Sequence, residues 1–364
     1  MKAIESLDSL QQMCNLSALS GHEDDMIRYM KSEMGRFLPD VHVDRLGNVI
    51  GRRPGTLADG PKVMVFAHMD EIGLIARKVE PEGLIRVTRV GGMPEKSLPA
   101  QRVVLRGTKG DVFGVVGSKS HHVTSAEEKF SVAKIEDLFV DIGAHSKAEA
   151  ETMGIGPGTP VTYHGFFQEM AGGQLAGKAL DNRASCFALL QVLRLLAGKD
   201  LAATVYFVGS VQEEYSIRGA TPAAFAINPD LAIALDITVS CDTPDLKALA
   251  DVRLGGGPVI SHYSFHGRGT LNGLIPNPKL WQYMAGVAAL QGISVQHAVF
   301  MGLLTDASYV TVVREGIPAV DMAFPVRYAH SPIEVCMRSD LEQLILLLTS
   351  ALEGIDGSLD LSRG

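Results

Sequence analysis

The feature that most constrains this chain is a set of short apolar runs without polar alternation: "PKVMVFA" at 61–67, "LAATVYFVGSV" at 201–211, "LAIALD" at 231–236 and "IPAVDMAF" at 317–324. A half-buried strand alternates apolar and polar residues. Runs that stay apolar and are bounded by turn residues belong to strands covered on both faces. Helical patterns lie between and around them, at 23–36 ("EDDMIRYMKSEMGR"), at 181–197 and in the C-terminal "DLEQLILLLTSALEGI", and "VHVDRLGNVIGRR" reads as strands around a turn. Strands alternating with helices predict an α/β/α domain on a mixed, largely parallel sheet.

Between about 72 and 160 the texture changes to short Val-rich strands separated by Gly and Pro, as in "QRVVLRGTKGDVFGVVGS". This predicts a small β-barrel inserted at 72–160 into a discontinuous domain formed by 1–71 and 161–364. A length of 364 residues suits two such domains. The Gly-rich "LGGGP" at 254–258 lacks the spacing of a phosphate loop and reads as a turn.

Composition excludes several classes. No apolar stretch reaches bilayer-spanning length, and a net charge of -8 without a Lys/Arg cluster argues against nucleic acid and anionic membranes as partners. The N-terminal "MKAIESLDSLQQMCNLSALSG" lacks the apolar core of a signal peptide, and the four cysteines, Cys14, Cys186, Cys241 and Cys336, form no CxxC pair. Both observations predict a cytoplasmic protein with reduced core thiols.

Each buried run leads into polar residues: His68 and Asp70 after the first, Glu213 and Glu214 after the second, Asp236 at the end of the third and His330 beyond the fourth. A further station, "GKALDNRAS", puts Asp181 ahead of a helix, where it either caps that helix or joins the others. In open α/β sheets, ligands bind outside the carboxyl ends of the strands. Two His and several carboxylates at one such edge are the donor set of zinc, cobalt or manganese. Adjacent residues leaving a strand point to different sides, so Glu213 and Glu214 divide two tasks, one holding metal and the other serving as general base to the reacting water.

The stretches "ALSGHEDDM", "DRLGNVIGR", "AHMDEIG", "GKALDNR", "QEEYSIRGA", "ALDIT", "TDA" and "RYAHSPIEV" cover nearly the whole chain in order. Together they resemble the metallo-aminopeptidases that form tetrahedral dodecamers, which include glutamyl and deblocking aminopeptidases and some members labelled cellulase or endoglucanase. The resemblance implies an aminopeptidase acting on short peptides through two divalent metal ions. Asp181 would bridge both ions, His68 and Asp236 would complete one, and Glu214 and His330 the other. Glu213 would be the general base, and Asp70 would orient His68. Two dications of about +4, three carboxylates of about -3 and a bridging hydroxide of about -1 leave such a cluster near neutral.

The resemblance also implies a homo-oligomer assembled through the inserted barrel. His122 is matched to a family histidine from a loop of the insert, while His121 and His122 read equally as solvated loop residues. Tyr215 and Ser216 stand where Val-Gly is usual in the family, and Asn182 where a second Asp is common. Asp306 reads either as a contact for the substrate's ammonium or as a helix cap. Deacylation of N-acyl amino acids by the same metals is a close variant. A glycosidase needs two carboxylates facing across a sugar bond, which neighbours on one strand do not provide. A metabolite-binding assembly without catalysis would have no use for clustered carboxylates.

Overall fold

The structure is a computed structural model that describes residues 2–267 and 271–363. The four apolar runs form its centre. Thr204–Ser210, Lys62–His68, Leu231–Val239 and Ala319–Arg327 lie side by side and parallel in that order. Antiparallel strands flank them: Val49–Arg53 pairs with the first, and Glu334–Met337 with the last. The sheet is mixed, as expected, with eleven strands among the described residues.

Alternate side chains of each central strand enter different cores, which is why the runs are almost continuously apolar; the exception inside Ala319–Arg327 is Asp321, which is buried and accepts the Thr305 hydroxyl at 2.7 Å. Val63, Val65 and Ala67 pack with the helices Asp8–Asn15, Asp24–Gly35, Leu180–Leu196 and Arg338–Gly354. Met64 and Phe66 face the other side, against Ala220–Ile227 and Ala307–Val310. Burial of each such Val or Phe side chain stabilises the fold by about 1.5–3 kcal/mol. Met26, Met30 and Met34 recur every fourth residue, so Asp24–Gly35 presents one apolar stripe. Leu180–Leu196 lies between the sheet and Arg338–Gly354 and is buried almost all round, with Gln191 and Arg194 alone partly exposed.

The insert is a closed six-stranded barrel with its own core, from Ile72 to Tyr163. Its closing strand, Pro160–Tyr163, pairs on one side with Gly73–Val79 and on the other with Arg102–Gly107, so Val161 sits in both ladders. The boundary expected at 160 falls inside this strand, because a short Val-rich segment after Gly-Pro gives no sequence sign of which sheet it joins. Gly255 and Gly257 of "LGGGP" donate their N–H groups to the Asp340 carboxylate at 2.8 and 2.9 Å, so this turn wraps a side chain of the same protein. All four cysteines are buried and free. Among the described residues, no helix is long and apolar enough to cross a membrane.

Candidate active site

The polar stations meet at the carboxyl edge of the four central strands. His68 ends its strand, and Asp181 begins Leu180–Leu196 with non-helical backbone. Its side chain caps nothing. One oxygen, Oδ1, lies 3.2 Å from His68 Nε2, and the other, Oδ2, lies 3.4 Å from His330 Nε2. Asp236 was expected at a strand end, but Leu231–Val239 runs three residues past it in register with Ala319–Arg327. It still faces the cluster: ligand atoms of His68, Asp181 and Asp236 lie within 4.8 Å of one another, as do those of Asp181, Glu214 and His330.

The paired glutamates do divide, but incompletely. Glu214 Oε1 is 3.7 Å from His330 Nε2 and Glu213 Oε2 is 4.0 Å from His68 Nε2, yet both carboxylates come within 4.8 Å of His68. The alternation rule fails here because the strand ends at Ser210 and Gln212 takes a left-handed φ of 57°. Glu23 accepts hydrogen bonds from the Gly21 and Gln212 N–H groups, and Asn48 accepts one from Val211 and donates to the Gly219 carbonyl, so this turn is held from two sides.

Asp70 touches nearly every part of the site. It accepts the backbone N–H of Glu213 and of Glu214, each at 3.0 Å, and the Ser20 hydroxyl, while its Oδ1 lies 3.4 Å from His68 Nδ1. Burial opposes its charge, but His68 and these donors hold its carboxyl below the usual range. Sequence reasoning missed Glu334, which is buried and accepts from Asp181 N at 2.8 Å and from His330 N at 2.7 Å. A carboxylate four residues after His330, inside "RYAHSPIEV", was the available signal. His330 has a φ of 64°, which the Glu334 bond helps to maintain.

Sequence reasoning also missed a buried ion network behind the site. Glu71 accepts from Lys178 Nζ at 2.7 Å and from Arg183 Nη2 at 3.1 Å, and all three side chains are at most 2% exposed. Removing one partner of such a network costs about 3–5 kcal/mol, because the others are left charged and unpaired. It ties the segment after His68 to the one that carries Asp181.

The donor set fits divalent metal. His330 Nδ1 lies 2.7 Å from the Gly92 carbonyl and donates to it, which leaves Nε2 to face two carboxylates. Without a cation, these groups conflict. Burial, aided by neighbouring acids, pushes Glu213 and Asp236 well above the carboxylate range and Glu214 to about 7. Burial alone would lower His68, but Asp181 and Asp70 outweigh it and raise it well above its ordinary value. Positive charge among the acids removes the conflict.

Other candidates fall elsewhere. His121 and His122 lie in an exposed turn and do not line the cavity of about 260 Å³ at the cluster. Asp306 forms no cap: its Oδ2 accepts the Ser210 hydroxyl at 2.6 Å. Cys186 packs in the core and donates to the His68 carbonyl.

Residues 47–347 match the sequence pattern described as M42 glutamyl aminopeptidase. The protein SgcX of Escherichia coli (strain K12) is 43% identical over 354 residues, covering 97% of this chain and 94% of SgcX. An aminopeptidase from the archaeon Desulfurococcus kamchatkensis superposes with a TM-score of 0.91 at 34% identity, covering 97% of each chain. The TET1 peptidase of Pyrococcus horikoshii, described as able to assemble into a tetrahedron or a large octahedral shell, gives 0.85 at 29% identity over 96% of this chain and 99% of its own. With the pattern matched over most of its length and its fold shared end to end, the chain belongs to the M42 glutamyl aminopeptidase family, a family of hydrolases.

Proposed function

We propose that this chain is a dinuclear metal-dependent aminopeptidase that releases N-terminal residues from short peptides. The observation that carries the reading is Asp181, which turns one carboxylate oxygen to His68 and the other to His330. On this reading His68 and Asp236 would hold one ion, Glu214 and His330 would hold the other, and Asp181 would be shared by both. Zinc and cobalt suit the mixed imidazole and carboxylate donors best, and manganese is accepted by the same set. Bound ions would polarise the scissile carbonyl and acidify the attacking water. Glu213 takes that water's proton and delivers it to the leaving amine, while Asp70 keeps the His68 ring and the Glu213 backbone in place.

The unit formed by 72–160 is proposed to mediate homo-oligomerisation into a tetrahedral dodecamer. Support comes from the assembly described for TET1 and from Phe113 and Phe130 on the insert, 53% and 92% exposed. The free cysteines suit a reducing cytoplasm.

The test is hydrolysis of aminoacyl chromogenic amides by protein loaded with zinc, cobalt or manganese, beside a chelated control and Glu213→Gln. Metal-dependent release that is lost when the amine is acetylated is the expected result, with Glu213→Gln retaining two ions but losing about 10²–10⁴ in turnover. Release only from acetylated substrates would replace the reading with deacylation. Wild-type turnover by folded Glu213→Gln would remove the base from Glu213.

A further inference from the structure

We propose that the side-chain subsite beside the metal cluster is apolar and selects substrates whose N-terminal residue is uncharged and aliphatic, an inference that rests on the aminopeptidase reading. The cavity that holds the cluster is also walled by Ile217, Ile237, Leu303 and Leu304. At about 260 Å³ it has room for one side chain and the reacting amide, but little more. Its carboxylates, Asp181, Glu213, Glu214 and Asp236, are all committed to the cluster, and no Lys or Arg is among the described residues that line it. Among the described residues, an acidic substrate side chain would find chiefly His266, whose Nδ1 has no hydrogen-bond partner among them. A basic one would find no free counter-charge among the described lining residues. A charge buried without a partner is strongly disfavoured, whereas an aliphatic side chain gains from every wall it touches.

The backbone supplies an independent observation. Ser216 and Ile217, directly after the paired glutamates, have φ values of 73° and 50°. Two successive side-chain-bearing residues in the left-handed region are unusual, and a β-branched one there is an outlier. The bonds Ile217 N to Glu213 O at 2.9 Å and Arg218 N to Gln212 O at 3.1 Å close the turn. Gly would adopt this conformation freely but could not furnish a wall. The turn therefore keeps a costly residue where it borders both the cluster and the substrate space, as strained positions at functional sites do.

The test compares kcat/KM for leucyl, alanyl, glutamyl and lysyl amides with metal-loaded protein, alongside calorimetric binding of the free amino acids. Leucyl is expected to exceed glutamyl and lysyl by about 100-fold or more. Ile217→Gly is expected to lower the leucyl-to-alanyl ratio about 10-fold while both ions stay bound, and Leu304→Arg to move preference towards glutamyl. Glutamyl or lysyl turnover equal to leucyl in the wild type overturns the inference and leaves the aminopeptidase reading standing. If no free-amine substrate turns over, that reading falls. Binding then decides the pocket: leucine tighter than glutamate and lysine upholds an apolar subsite, and any other order overturns it.

Discussion

The triad of His68, Asp181 and Asp236 is buried throughout, whereas the triad of Asp181, Glu214 and His330 is shallower, with the His330 side chain 37% exposed against 2% for His68. The deep triad takes His68 and Asp236 from neighbouring parallel strands, so sheet register fixes their spacing. The shallow one takes Glu214 and His330 from loops whose backbone turns left-handed at Gln212, Tyr328 and His330, and it leans on Gly92 from the barrel segment. Sheet hydrogen bonds are cooperative and many, while loop positions rest on a few named contacts. We expect the deep half to bind metal more tightly and the shallow half to be the one that neighbouring changes can tune.

The sharpest way to break this comparison is through the residue both halves share. Asp181→Ala is expected to abolish binding of both ions and to lower turnover about 10⁴-fold or more, measured by metal content and rate. Full occupancy of one ion would show that the halves are separable without it. Glu334→Gln replaces an oxygen that accepts from Asp181 or His330 with a donor, and is expected to weaken metal binding about 10–100-fold. Titrations of both ions unchanged from wild type would remove Glu334 from the support of the site.

Gly92→Ala acts on the shallow half alone. The new Cβ would stand 3.0 Å from His330 Nδ1, so the ring must shift, and one ion is expected to weaken about 10-fold while the other is unaffected. Equal weakening of both would contradict the division into halves.

The smallest effect is on stability against pH. Glu214 rises from 4.5 to about 7 through burial, with Asp181 adding to it, and burial also raises Glu213 and Asp236 well above their ordinary values. Between pH 4.5 and 7 the folded chain holds protons that the unfolded chain has released, so metal-free stability falls as pH rises. Metal bound as proposed would displace those protons and so bind more tightly as pH rises. From pH 5 to 7.5 the Tm of chelated protein should fall by about 2–4 °C while that of loaded protein holds or rises. Parallel curves would mean that the carboxylates do not exchange protons for metal.

How much of this was legible in the sequence follows from the same division. Strands Lys62–His68 and Thr204–Ser210 could be read because both their faces are covered, and unbroken apolar runs leave few alternatives. His68, Asp181, Glu213, Glu214, Asp236 and His330 could be named because each stands beside such a run or inside a recognisable motif. Glu334 and Glu71 stand inside such motifs too, but their roles were hidden, since these depend on partners 153 and 107 residues away in sequence. The fate of Asp306 was equally hidden: a carboxylate before a helix suggests a cap, and only the fold brings Ser210 to it.

The Glu71, Lys178 and Arg183 network has a consequence for how such a protein is supplied. It joins the two segments that present His68 and Asp181 through charges of the chain itself, so this part of the site is tied together by contacts that require no bound ion. An ion bound as proposed would then meet two of its ligands already held at their spacing by the fold.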